Sequence, residues 1–165
     1  MSERMKTNYI PEVYHIIHKT EVDFTKRKTQ EVVHIAQYDN GMSLIAVRMR
    51  IDGNTYKLPD SAEAYIRWGK PDSSFCRYEA IGINSDRDTV YFELTKQMTI
   101  IFGQINPIIE IKMGAGDSEI VAGSQSIPVI IDRNPVQYDS KSVSEDPSLK
   151  EYILSVIKET YPNLK

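Results

Sequence analysis

The sequence has one cysteine, no long apolar run and little net charge, and each absence excludes a class of protein. The lone Cys76 has no partner for an internal disulfide, which fits a protein that is not secreted. No apolar run approaches the roughly 18–20 residues that span a bilayer, and the charged N-terminus lacks the apolar core of a secretory signal. The net charge of −3 provides no large basic field. We therefore expect no nucleic-acid partner and no membrane insertion.

Catalytic and metal-binding motifs are also missing. The chain contains no P-loop, nucleophile elbow or dinucleotide fingerprint. Gly114-Ala115-Gly116 has neither a third glycine nor a following helix, so it indicates a hairpin turn. His15 and His18 are three residues apart, but His34 and Cys76 are distant in sequence, whereas a zinc site needs three or four ligands. The sequence predicts no enzyme activity, no cofactor and no metal site.

Short alternating segments separated by polar turns dominate the chain. Residues 42–51 are the clearest example, since they alternate between an apolar face with Ile45, Val47, Met49 and Ile51 and a basic face with Arg48 and Arg50. About eight such strands, with turn signals every 8–12 residues, predict a mainly β protein. We expect an antiparallel, immunoglobulin-like β-sandwich followed by a C-terminal α-helix.

The predicted strands differ in how regular their alternation is. Trp68 shares its face with Ala64 and predicts a core position. A change of phase within 75–83 predicts a bulge near Ala80, and Pro107 predicts an edge or a bulge because proline has no N–H. Residues 95–103 are expected to connect two sheets. The predicted strands lie near 31–38, 42–51, 63–68, 75–83, 90–94, 104–113, 118–123 and 126–132.

The composition of the ends of the chain predicts four parts. Residues 1–28 form an N-terminal arm, 29–132 the β-sandwich, 133–146 a linker and 147–161 a helix. Asp146 before Pro147 is a good helix cap with proline at the first helical position. The apolar stripe that follows has the 4-3-4 spacing of a coiled-coil seam, but two heptads are marginal alone. The stripe therefore packs either on its own sandwich or on copies of itself.

Landmarks in a fixed order run along residues 29–157. They are Gln37-Tyr38-Asp39, the strand 44–53, Lys70-Pro71-Asp72, the strand 90–94, Gln97-Met98 before Gly103, the strand 104–113 and Asp146-Pro147-Ser148-Leu149. In this order they resemble the N-terminal domain of phage baseplate upper proteins from phages of Gram-positive hosts.

The resemblance implies a virion structural protein of the phage tail baseplate that is assembled in the cytoplasm of the bacterial host. Such a domain docks on the tail-tip hub and helps to display receptor-binding proteins for host adsorption. It also implies a homo-oligomer, with a trimer expected by analogy. The residues predicted to mediate self-association are Leu149, Tyr152, Ile153, Val156 and Ile157.

Two other functions stay open at the level of sequence. Tyr65, Tyr78 and Tyr91 are candidates for stacking on sugars, as in a carbohydrate-binding β-sandwich that contacts the host cell wall. A hydrolase needs two facing carboxyl groups, and Asp86 and Asp88 are close in sequence. Aspartate is favoured in turns in any case, so this pair predicts a turn before it predicts catalysis.

Overall fold

A computed structural model describes residues 16–25, 31–114, 119–136 and 141–147. Within these ranges the chain is mainly β and sandwich-like, which confirms the predicted class. Its elements, in chain order, are β1 (Ile16–Asp23), β2 (Val33–Ala36), β3 (Ser43–Ile51), β4 (Asn54–Thr55), β5 (Glu63–Gly69), β6 (Phe75–Glu79), β7 (Gly82–Ile83), β8 (Thr89–Glu93), α1 (Lys96–Thr99), β9 (Gly103–Ile105), β10 (Ile108–Met113), β11 (Ile120–Gly123) and β12 (Val129–Asp132). None of the described helices is long and apolar enough to cross a membrane.

The described strands form three sheets. Sheet 1 has the order β1-β3-β8-β7, with β4 also paired to β3; sheet 2 has the order β11-β10-β5-β6; sheet 3 has the order β2-β12-β9. Most neighbours are antiparallel, as the turn signals predict. The β1–β3 and β2–β12 pairs are parallel. Parallel neighbours cannot be joined by a tight hairpin, and both pairs join strands that are distant in sequence.

One large core lies between the sheets, and it follows the alternation of the sequence. Ile45, Val47 and Met49 on β3 are buried, and so is Trp68 on β5, as predicted. Ile51, the last residue of β3, is instead 37% exposed, because the strand ends there in a turn. Burying side chains of this size contributes about 1.5–3 kcal/mol each. The indole N–H of Trp68 donates to the carbonyl of Met98 at 2.9 Å, which satisfies its one polar group inside the core.

Two predicted strands are each divided between two sheets. Ala80 N–H still bonds to Ala64 on β5 at 2.9 Å, whereas Ile81 N–H bonds to Tyr91 on β8 at 2.8 Å. The change of phase near Ala80 therefore marks a crossing from sheet 2 to sheet 1, and the predicted bulge is wrong. Pro107 lies between β9 of sheet 3 and β10 of sheet 2. These divisions, together with β1 and β4, raise the described strands from about eight to twelve.

Two segments outside the predicted sandwich belong to the sheets. Strand β1 lies within the predicted arm, and its pairing with β3 runs from Ile16 opposite Ser43 to Asp23 opposite Arg50. Residues 141–146, within the predicted linker, lie along β6 through a parallel bridge between Cys76 and Glu145. The predicted C-terminal helix lies outside the described residues beyond Pro147.

Candidate interaction surfaces

The outer edge of β6 is covered by residues 141–146, which we call the edge segment. Arg77 N–H donates to the Glu145 carbonyl at 2.9 Å, and Glu145 N–H donates to the Phe75 carbonyl at 2.9 Å. Phe75 N–H donates to the Ser144 hydroxyl at 3.0 Å. The edge segment therefore lies along sheet 2 through one parallel bridge and pairs backbone groups that an open edge would expose.

The buried Lys70 and the half-buried Gln97 hold the start of the edge segment. The Lys70 ammonium is buried and donates to the Val143 carbonyl at 2.8 Å and to Gln97 Oε1 at 3.0 Å. The Gln97 side chain also accepts from Val143 N–H at 2.8 Å and donates to the Lys141 carbonyl at 3.0 Å. Since buried polar groups must be hydrogen-bonded, these partners bind the edge segment strongly to the sandwich.

The local sequence explains how Lys70 and Gln97 come together. Lys70 directly follows β5 and begins the Lys-Pro-Asp turn, and Gln97 lies on α1, whose first turn is capped by the Thr95 hydroxyl. The bond between Trp68 and Met98 fixes β5 against α1 just behind them. The core that the alternating pattern builds thus places a lysine and a glutamine beside each other at the end of the sheet.

The C-terminal end of the edge segment is held by Arg77 and Tyr78. The Tyr78 hydroxyl lies 3.0 Å from both carboxylate oxygens of Glu145, and burial raises the pKa of Tyr78 so that it stays a donor. Arg77 Nη1 lies 3.9 Å from Asp146, while Arg77 Nη2 donates to Glu110 Oε1 at 3.0 Å. Two side chains of β6 therefore contact the end of the edge segment: Tyr78 at Glu145 and Arg77 at Asp146.

Asp72 links the turn after β5 to the edge segment. The Ser74 hydroxyl lies 3.1 Å from the Ser142 hydroxyl, and Ser74 N–H donates to Asp72 at 3.0 Å. Hydrogen bonds from Ser74 and then Ser142 lower the pKa of Asp72 from 3.8 to about 2. The pKa of this exposed carboxylate therefore depends in part on Ser142 of the edge segment.

A second concave surface lies between β1 and β2. It is a groove of about 590 Å³ whose lining includes Ile17, Val32 and His34. His18 also faces the groove, and burial lowers the pKa of its imidazole, with the charge of Asp39 acting in the opposite sense. Among the described residues β1 pairs only with β3 and β2 only with β12, so the groove separates two sheet edges.

The structure does not bring the three candidate sugar-stacking tyrosines together. Tyr65 is buried, and the Arg77 guanidinium covers its ring at 3.9 Å from the centroid. Tyr78 is half-buried and lies opposite Ile66, so it occupies the other face of sheet 2. Tyr91 is buried on sheet 1. The three tyrosines therefore share no exposed surface on which a sugar could stack, and their role in sugar binding stays a prediction.

The residues predicted for self-association lie outside the described part of the chain, so their role also stays a prediction. They are Leu149, Tyr152, Ile153, Val156 and Ile157. The described part of the chain ends at Pro147, two residues before Leu149.

Asp88 of the candidate acid pair has a structural role in the turn before β8. Asp88 accepts from Asn84 Nδ2 at 2.6 Å and from the Thr89 hydroxyl at 3.0 Å. These bonds close the turn between β7 and β8, as the turn signal predicts. In the ranges that the structure describes, no group of three or more histidine, cysteine or acidic side chains is arranged to hold a metal ion.

Sequence reasoning missed the residues that hold the edge segment. The sequence predicts only a turn at Lys70, and it marks Gln97 only as a landmark before Gly103. No periodicity marks them, because each acts through a contact with residues more than forty positions further along the chain. A polar side chain directly after a strictly apolar strand face, as Lys70 follows Trp68, is the one local signal available.

Comparison with known proteins shows a likeness of fold. The structure resembles the N-terminal domain of phage TP901-1 ORF48 with a TM-score of 0.61 and 11% sequence identity, over 72% of this chain and 99% of that domain. No family model matches the chain, and no curated protein matches it.

Proposed function

We propose that this chain is a non-enzymatic structural protein of a phage or prophage baseplate. The observation that carries the proposal is the likeness to a phage protein domain, which extends over 99% of that domain. The ordered landmarks of the sequence point to the same class of protein independently of that comparison. At 11% identity the likeness concerns the fold, and the assignment of a role to this chain is our inference.

In this proposal the sandwich docks on the tail-tip hub, and the chain beyond the edge segment self-associates, with three copies expected. The assembly, formed in the host cytoplasm, then helps to display receptor-binding proteins at the virion surface. The edge segment supports this division of labour, because Lys70, Gln97 and Arg77 hold the chain up to Asp146 on the sandwich. A closed symmetric oligomer needs its subunits in one defined orientation.

Co-expression with the tail-tip hub protein encoded by the same phage or prophage tests the docking step. We expect a complex of fixed stoichiometry that survives size-exclusion chromatography, and gold-labelled antibodies against the chain at the tail tip in electron micrographs. A chain that ends at Pro147 is the matched control and should still bind the hub, since it retains the whole sandwich. Absence of both the complex and the tail-tip labelling would contradict the proposal.

A further inference from the structure

The edge segment receives hydrogen bonds from three separate elements. The turn after β5 contributes Lys70, β6 contributes its backbone, and α1 contributes Gln97. Exposed chain segments are seldom held by a buried ammonium group, because burying a charge is costly unless it is well paired. The contacts therefore exceed what is needed merely to protect a sheet edge.

We infer that the edge segment is a rigid coupling strand that fixes the direction in which the chain beyond residue 146 leaves the sandwich. This inference rests on the proposed function, because a fixed direction matters where that chain assembles with other subunits. In this role Lys70 and Gln97 hold the start of the strand, and Arg77 fixes its end beside Asp146.

The hydrogen-bond pattern of the edge segment provides a matched pair of variants. The amides of Val143 and Glu145 point towards the sandwich and donate to Gln97 and Phe75. Successive amides of a strand point in opposite directions, so the Ser144 amide points away. Glu145→Pro removes a pairing N–H. Ser144→Pro leaves both pairing amides intact but also removes the hydroxyl that accepts from Phe75 N–H, so Ser144→Ala serves as the reference for that loss.

Residue-resolved hydrogen exchange measures how firmly the strand is held. In the unmodified chain we expect the Val143 and Glu145 amides to exchange at least tenfold more slowly than those of Ser142 and Ser144. Glu145→Pro should accelerate exchange at Val143 by tenfold or more, and Ser144→Pro by less than threefold relative to Ser144→Ala. Equal exchange at all four amides of the unmodified chain, or equal effects of the two prolines, would overturn the inference.

Distances between spin labels measure the direction itself. One label is placed at the exposed Ser61→Cys and the other at the exposed Pro147→Cys, directly after the edge segment, in a Cys76→Ala background and diluted with unlabelled chain. We expect a single narrow distance distribution that Glu145→Pro broadens at least twofold and Ser144→Pro does not. A distribution that is already broad in the background protein would contradict a rigid coupling.

These experiments separate the inference from the proposed function. Both read out the individual chain and need neither the hub nor an oligomer. If the edge segment proves rigid but no hub complex forms, the baseplate role fails and the coupling strand stands. If the hub complex forms while the Val143 and Glu145 amides exchange freely, the coupling inference alone fails.

Discussion

The two edges of sheet 2 differ in whether another part of the described chain covers them. At β6 the edge segment pairs the backbone, and the buried Lys70 helps to hold it. At β11 all four strand residues are exposed, with Ile120 and Val121 at 60% and 51%, and the described residues provide no partner beyond β10. The buried Lys70 therefore lies at the edge that the edge segment covers, whereas the residues of β11 are exposed at the opposite edge.

Removing the support behind the β6 edge should have the largest effect. Trp68→Ala deletes a fully buried ring and the hydrogen bond that joins β5 to α1. We expect the free energy of unfolding to fall by about 3–5 kcal/mol, measured by urea denaturation.

The exposed edge provides the control for this substitution. Val121→Ala on β11 removes a side chain that is half exposed, so the free energy of unfolding should change by about 0.5 kcal/mol or less. A loss at Val121 that matches the loss at Trp68 would show that the two edges are equally important and would remove the contrast.

Releasing the edge segment directly should have an intermediate effect. Lys70→Met leaves the Val143 carbonyl and Gln97 Oε1 without the ammonium donor. Hydrogen bonds to charged groups contribute about 1.5–3 kcal/mol, so exchange at the Val143 and Glu145 amides should accelerate about tenfold or more. Lys112→Met, which removes an ammonium 3.7 Å from Glu119 on the β11 side, is the control and should leave both amides unchanged.

The change in the stability of the edge segment with pH should be the smallest of these effects. The depressed pKa of Asp72 means that its contribution is fully present above pH 3.8 and is lost as the pH falls through about 2. Ser142→Ala removes one donor, so the pKa of Asp72 should rise towards 3.8, as followed by NMR titration of its side chain. An unchanged pKa would show that Ser142 does not contact Asp72 in solution.

The sequence predicts those parts of the fold whose stability is local to one strand face. The alternation of Ile45, Val47 and Met49 locates β3, and the shared face of Ala64, Ile66 and Trp68 locates β5 in the core. In these strands one face is buried throughout, so a period of two is imposed by packing alone.

Other parts depend on contacts between distant residues and leave no periodic signal. The crossing at Ala80 resembles a bulge in sequence because both change the phase of the alternation. The parallel pairing of β1 and the docking of the edge segment depend on partners that are 27 or more positions away. For the candidate site, the sequence located the turn at Lys70 but not the partners that give this lysine its role.

The most direct test of the central claim is the solution mass of the full chain and of a chain that ends at Pro147, by light scattering. Ending at Pro147 retains the contacts of Ser144 and Glu145 with β6, so any change comes from the residues beyond. We predict an oligomer of three copies for the full chain and a monomer for the shorter one. Monomers in both cases, or an unchanged oligomer in the shorter chain, would contradict self-association through residues 149–157.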